Sequence, residues 1–509
     1  MRTRSPYTLA TMIFLASFFL RWELISKGPF HGDCMSLVMQ AQQTAATGTV
    51  HYLHSHGFPL AAILNGFFVW TFQSLGLSDP VFAVNMMSVV FSSLTVLVFF
   101  LLTRIWFNEN TAFFAAALFS ATPIFLANSV YGNTHMPALF FALLGIYGIW
   151  KGYLPKQTHR SLILPAIFLG FGIAARAQDA FFFLPVVAAL LCVHPSVKDS
   201  RFRKKLGAIV LFTGTAMLTA GLFYAPLIQQ DFLIKSQRGH NLIHFLDSEL
   251  LAHIATDFWI FLPLCFKFIS STITPAGVLL CISGLFFLIK EKRRDDAIIL
   301  LIWFSLPFYF FSSLNFHLPR FFIICLLPLC IAMAVSCDRL LRYKRWIKAT
   351  VLCFWALCLM TVPLVQILPV LQSRHDHAYT PDFVRWVKKT IGLDAQLIIS
   401  DGSDFFKYYG PIQIIGRPLY ISHYPEEEMA EFQKTLDQAI AEGGAVYITS
   451  NGLYSYDPEK SFSSFIKSRY CLKLIGRHPI ELWHQGAIEQ RVPLSGLYRV
   501  GPKSPLCTD

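Results

Sequence analysis

Residues 81–104 read V-F-A-V-N-M-M-S-V-V-F-S-S-L-T-V-L-V-F-F-L-L-T-R, with no charged residue before Arg104. As a helix rising about 1.5 Å per residue, such a run crosses a hydrocarbon core of about 30 Å. The arginine that ends it marks the cytoplasmic side, where short loops concentrate Lys and Arg. Comparable runs extend in both directions, separated by basic clusters at Arg2/Arg4, Lys151–Arg160, Lys198–Lys205, Lys290–Arg294 and Arg339–Lys348. Helices near 8–25, 81–103, 111–127, 136–150, 162–177, 180–194, 206–226, 273–290, 297–313, 319–337 and 348–369 put every cluster on one side. The expectation is about 11 spans, with the N-terminus cytoplasmic.

Two stretches do not fit that alternation. A span at 58–76 would turn Arg104 and the 151–160 cluster outward, so this run is expected to be an interfacial or re-entrant helix. If it crosses instead, a short run such as 180–194 does not. Residues 227–272 are expected to form an external loop with a surface-lying helix, because Phe258–Phe268 is too short to cross and carries Lys267.

Composition agrees with lipid as the main solvent. The 509 residues are 54% hydrophobic and only 14% charged, with a mean hydropathy of +0.51. The net charge of +12 resides largely in the short inter-helix clusters, which orients the chain in a membrane and excludes nucleic acid as a partner. The basic N-terminus and its apolar run lack a small-residue cleavage site, so the run is expected to be a retained first helix. Most of the 11 cysteines lie in apolar runs as small hydrophobes. Cys471 and Cys507 lie in a polar region and can pair if that region is extracytoplasmic.

From about residue 372 the hydropathy falls. Gln396–Ser400, Ile412–Ile415, Ala445–Thr449 and Cys471–Ile475 read as short strands, and Thr380–Thr390 and Pro425–Ala441 as amphipathic helices. The expected organisation is a transmembrane domain over 1–371, whose first external loop spans 26–80, and a small extracytoplasmic α/β domain over 372–509.

The residues that can carry chemistry fall at the external ends of spans. Asp33 follows R-W-E-L-I-S-K-G-P-F-H-G from Arg21 and precedes an expected helix over Met35–Thr47, stopped by Gly48. At that depth a carboxylate meets both a lipid phosphate and a water-borne acceptor; alternatively it caps the helix, worth about 1 kcal/mol. In H-Y-L-H-S-H-G-F-P-L, His51, His54 and His56 lack other ligands at zinc spacing, and His56 suits hydrogen bonding to donor or acceptor. The second external loop offers Asn128, Tyr131, Asn133 and His135. The hairpin A-R-A-Q-D-A holds Arg176 and Asp179, either as an ion pair or lining a polar cavity. N-F-H-L-P-R-F places His317 and Arg320 at the start of a late span, and the planar fork of Arg320 suits a phosphate.

The order Arg21, Asp33, Gly48, His56/Pro59, the Pro-to-Tyr-to-Pro second loop, A-R-A-Q-D and H-L-P-R-F resembles the GT-C membrane glycosyltransferases. It is most similar to bacterial relatives of protein O-mannosyltransferases and aminoarabinose transferases, of the family 39 type, over roughly residues 8–340. The resemblance implies a bacterial inner-membrane enzyme that moves a sugar from a polyprenyl-phosphate donor to a glycan, lipid or protein acceptor, with inversion. It implies Asp33 as the catalytic carboxylate; Arg320, His317 and Arg176 as donor-phosphate ligands; and His56, Tyr131, Asn133 and His135 as substrate-binding residues. Many relatives carry a second acid beside the first-loop aspartate, where this chain has Cys34. His135 stands where some relatives carry an acidic pair that helps bind a divalent cation, so no metal or other cofactor is expected as a requirement.

Two other classes share the composition. A transporter or flippase for a lipid-linked saccharide predicts broken spans and internal pseudo-symmetry, neither of which is evident. A non-catalytic assembly subunit with a GT-C body predicts losses such as the missing second acid.

Overall fold

The computed structural model describes residues 6–30, 32–50, 58–77, 79–194, 202–229, 248–313, 319–342, 348, 350, 362–392, 394–399, 403–410, 412–416, 426–454, 457, 460–480 and 492–503. Among these, six helices are long and apolar enough to cross a membrane: Pro80–Trp106, His135–Lys156, Phe202–Ala225, Thr272–Lys290, Arg294–Ser312 and Pro319–Leu340. Thr8–Trp22, His159–Ala175, Ala177–Val193 and Phe258–Ser270 are shorter apolar helices.

Burial separates central from peripheral helices. The most apolar windows of Pro319–Leu340 and Pro80–Trp106 are 89% and 78% buried, against 28% for Phe202–Ala225 and 33% for Thr272–Lys290. The first pair are surrounded by protein; the second pair turn Leu206, Val210, Leu218, Leu222, Leu279 and Ile282 outward. Lipid is as apolar as leucine, so contacts between such helices rest on close packing. At Gly284 an added Cβ would lie 1.9 Å from the Ala332 carbonyl oxygen, so only glycine lets these two helices approach.

Three expected elements differ. The run 111–127 is two helices, Glu109–Ala121 and Pro123–Asn128. Thr122 between them is extended (φ −60°, ψ 130°), as a residue before proline favours. The helix after the first span begins at Gly32 rather than near Met35, which puts Asp33 inside its first turn and not at the cap. There its charge complements the helix dipole. The 258–268 segment belongs to a helical stretch, Ser248–Lys290, much longer than expected and broken at Thr274 (φ 60°, ψ 159°) before Pro275. Most of the expected last span, 348–369, lies outside the described residues, and the helix seen there is Val362–Asp376.

Residues 58–76 form a 16-residue helix, Pro59–Ser74, shorter than a span. It packs along Gly32–Thr47 and leaves Phe67 and Trp70 exposed.

Beyond Val362–Asp376, the chain builds a five-stranded sheet from β1 (Gln396–Ile399), β2 (Gln413–Gly416), β3 (Val446–Thr449), β4 (Tyr470–Pro479) and β5 (Leu494–Pro502). Its order is β2-β1-β3-β5-β4, parallel across β2, β1 and β3 and antiparallel from β3 to β4. Strand β5, absent from the sequence expectation, lies between β3 and β4. Cys471 is disulfide-bonded, and its expected partner Cys507 lies outside the described residues.

One face of the sheet shares a core with the membrane part. Leu397, Ile399 and Leu497 join Phe383, Val384, Val387, Phe405 and Phe406 against Cys34, Met35, Leu37 and Val38 of the helix that bears Asp33. A Ser36 hydroxyl donates to Asp404 across this contact. The C-terminal sheet and its helices therefore pack against the Asp33 helix.

A candidate active site around Asp33 and Arg320

Four segments distant in sequence meet at one end of the helices. Arg320 lies in the one-turn 3-10 helix Pro319–Phe322 that opens the last long apolar helix. Its Nη2 donates to Asp33 Oδ2 at 2.8 Å. The Arg320 side chain is 12% exposed and that of Asp33 43%, so the cation is sheltered while the carboxylate reaches open space. The buried Nε of Arg320 makes no hydrogen bond to any described residue.

Tyr131 is buried in the second loop and lies within hydrogen-bonding reach of Arg320. Its hydroxyl donates to Asn128 Oδ1 at 2.6 Å, and its ring meets Phe30 edge-on at 5.1 Å. Burial pushes the phenol above its usual range despite the nearby Arg320, so it stays protonated and a donor.

His135 and the Arg176 hairpin close the far side. His135 Nδ1 and Asp179 Oδ2 are 2.6 Å apart, both residues buried. Arg176 stands 3.5 Å from the same oxygen through Nε and donates to Thr134 Oγ1 at 2.9 Å and Gln178 Oε1 at 2.8 Å. Asp179 is thus shared between a histidine and an arginine, where the sequence offers Arg176 as its local partner or a polar cavity. The Phe321 ring lies 5.8 Å from both the Arg176 and the Arg320 guanidinium carbons. Two cations held against one aromatic ring define a positive lobe with Asp33 at its rim.

Five of the described candidates therefore converge: Asp33, Tyr131, His135, Arg176 and Arg320. Asn133 is also present, but its side chain is spent on the loop. Its Oδ1 accepts from the backbone N–H of His135 at 3.0 Å and Met136 at 3.3 Å, capping that helix, and its Nδ2 donates to the Asn128 and Tyr131 carbonyls. His56 and His317 lie outside the described residues. Cys34, in place of a second acid, is fully buried, and burial pushes its thiol up to about 12. It donates to Asn85 Oδ1 at 3.6 Å. Among the described residues no group of three or more His, Cys, Asp or Glu side chains is arranged to hold a metal ion.

Two further arginines are buried. Arg374 places its guanidinium 3.5 Å from the centroid of the Phe30 ring and acts electrostatically on Tyr131. Arg21 donates to Ser17 and Ser120 and lies over Phe125 at 4.9 Å.

Comparison with known proteins bears on the fold. The family described as dolichyl-phosphate-mannose-protein mannosyltransferase matches residues 61–241, a range between Asp33 and Arg320. The undecaprenyl phosphate-alpha-4-amino-4-deoxy-L-arabinose arabinosyl transferase 1 of Pseudomonas fluorescens is 26% identical over 280 residues, 53% of this chain and 49% of the relative. A Pseudomonas aeruginosa transferase of the same description is 25% identical over 272 residues. The chain spans about half the length of the curated relatives it matches. Among solved structures, the oligosaccharyltransferase AglB of Archaeoglobus fulgidus aligns with a TM-score of 0.58 at 11% identity, covering 92% of this chain and 73% of that one. ArnT of Cupriavidus metallidurans in the apo state aligns at 0.52 and 14% identity, covering 98% and 100%. The chain has the GT-C fold, mainly helical with a small C-terminal sheet, and resembles the protein mannosyltransferases and aminoarabinose transferases.

Proposed function

We propose that the chain is an inverting glycosyltransferase that moves a hexosyl or pentosyl group from a polyprenyl-phosphate carrier to a lipid-linked glycan, a lipid A-like lipid or a protein. The observation that carries this reading is the contact between a sheltered arginine, whose Nε bonds to no described residue, and a half-exposed carboxylate, Arg320 and Asp33. An arginine fork can hold two oxygens of a phosphate at once. Support for an undecaprenyl carrier comes from the names of the arabinosyl transferase relatives and from ArnT of Cupriavidus metallidurans, solved bound to undecaprenyl phosphate.

In the proposed reaction the donor phosphate lies against Arg320 and Arg176 and competes with Asp33 for the Arg320 fork. Asp33, released, accepts the proton of the acceptor hydroxyl. The acceptor oxygen bonds to the anomeric carbon from the side opposite the phosphate, and the carbon–oxygen bond to phosphate breaks with its electron pair leaving on the phosphate. Arg320 and Arg176 stabilise that developing charge. Tyr131 and His135 orient the substrates from the second loop, and His56 and His317 are assigned substrate and donor-phosphate binding on the sequence resemblance alone. The site faces the external side of a bacterial inner membrane, under an extracytoplasmic domain over 372–509, in a chain of about 11 spans.

The test is transfer of label from a panel of undecaprenyl-phosphate sugars, beginning with 4-amino-4-deoxy-L-arabinose, using membrane extract as acceptor. Purified wild type and Asp33→Asn are compared. Transfer by the wild type alone supports the reading; equal transfer by both, or none with any donor, overturns it.

A further inference from the structure

The Pro80–Trp106 helix buries a polar side chain, Asn85, that is fully inaccessible in an otherwise apolar stretch. Burying an amide is unfavourable by a few kcal/mol unless its hydrogen bonds are met. Here they are met by three separate segments of the candidate site. Asn85 Oδ1 accepts from the backbone N–H of Gly132 at 2.7 Å, beside Tyr131, and from the Cys34 thiol at 3.6 Å, beside Asp33. Its Nδ2 donates to the carbonyls of Ser26 at 2.8 Å and Gly28 at 3.4 Å, in the segment leading to the Asp33 helix. The partners fix the amide's orientation, since an N–H and a thiol need the oxygen and two carbonyls need the nitrogen.

Neighbouring contacts repeat the pattern. One turn on, Ser88 accepts from the Asn133 N–H at 3.1 Å. A Cβ on Gly132 would lie 2.3 Å from Val84 Cγ1 and 3.1 Å from Cys34 Sγ, so the second loop rests directly on this turn of helix and on the Asp33 helix. The Ser26 N–H also donates to the Val130 carbonyl at 2.9 Å, tying the first and second loops beside the amide. Arg320, by contrast, has no contact with Asn85 among its hydrogen bonds and ring contacts.

We infer that Asn85 is a positioning residue for the transfer reaction, setting Asp33 and Tyr131 relative to one another through a single buried amide. The inference rests on the reading of Asp33 as the reacting carboxylate. It separates two functions of the site: Asn85 governs the alignment of Asp33, while the donor phosphate is held from the Arg320 side. A displacement of about 1 Å costs on the order of 10² in rate.

The experiment uses the full-length protein in detergent micelles with labelled undecaprenyl-phosphate sugar for turnover and undecaprenyl phosphate itself for binding. Asn85→Leu is expected to lower kcat on the order of 10²-fold, with undecaprenyl phosphate affinity within about threefold of wild type (on the scale of weak coupling). A general loss of structure would lower both together. Asn85→Asp provides a second test that survives poor folding of the leucine variant. When neutral, the acid accepts from Gly132 and donates to Ser26 as the amide does; when ionised, it faces two carbonyls with no donor. Its activity relative to wild type should rise as pH falls and the carboxyl takes up a proton.

Wild-type kcat in Asn85→Leu, or a pH-independent activity ratio in Asn85→Asp, overturns the inference. Full activity in Asp33→Asn would instead overturn the functional reading on which it depends.

Discussion

Arg320 and Asp33 are joined by a 2.8 Å ion pair across 287 residues of chain, one flank of the pair sheltered and the other open. An exposed ion pair would contribute little. This one brackets the mouth of a cluster in which Arg176, Asp179 and His135 are all buried. In the proposed reaction its value lies in what it arranges, a cation for a leaving phosphate beside a base for an incoming hydroxyl.

Arg320→Lys should keep the charge and lose the planar fork. Undecaprenyl phosphate binding, measured by titration in detergent, should weaken by about tenfold, roughly one lost charge-assisted bond. Unchanged affinity would place the phosphate elsewhere.

Asp179 serves His135 at 2.6 Å and Arg176 at 3.5 Å. Asp179→Ala leaves a buried cation without its counter-charge, and the loss of thermal stability should correspond to about 3–5 kcal/mol. An unshifted unfolding temperature in detergent would show that this network is solvated rather than closed.

Gly132→Ala forces a methyl group against Val84, 2.3 Å from Cγ1. Overpacking of this kind costs about 1–3 kcal/mol, and Val84→Ala in the same chain should recover most of it. A double variant no more stable than Gly132→Ala alone would contradict the close approach.

Asp457 anchors the Ser461–Arg469 helix, accepting from the N–H groups of Phe462 at 3.1 Å and Ser463 at 2.8 Å. Burial pushes its carboxyl up, but the bonds from Ser463, Phe462 and Ser461 outweigh this and hold it below the usual carboxylate range. The folded form therefore binds the proton less readily than the unfolded form. The stabilisation is complete above the unfolded pKa and is lost as pH falls through the lower folded value. Asp457→Asn should flatten the acid side of the C-terminal domain's stability profile, followed by hydrogen exchange of residues 461–469; an unchanged profile would contradict the assignment.

Much of this site was legible because its charges interrupt apolar runs. Asp33, Arg176 and Arg320 stand out at the ends of spans, and alternating basic clusters assign them to one side. Their pairing was not legible, since hydropathy says nothing about which helix ends are neighbours. Asp179 reads as a local partner of Arg176 three residues away, and only packing brings His135 to it. Asn85 is harder still: one amide inside V-F-A-V-N-M-M looks tolerated until its four partners are known. Asn133 reads as a ligand by its polarity, yet the end of a helix takes up its carbonyl oxygen. In the C-terminal domain β5 was missed because L-S-G-L-Y-R-V-G-P carries two glycines and no clean alternation, while its pairing with β3 and β4 supplies what local pattern lacks.

The most direct measurement sets binding against chemistry in two variants, by following undecaprenyl phosphate affinity and single-turnover sugar transfer together. Asp33→Asn should bind undecaprenyl phosphate at least as tightly as wild type while transfer slows by roughly 10² to 10⁴. Arg320→Ala should lose binding first. Transfer at the wild-type rate by Asp33→Asn, or wild-type lipid affinity in Arg320→Ala, would contradict the division of labour between these two residues.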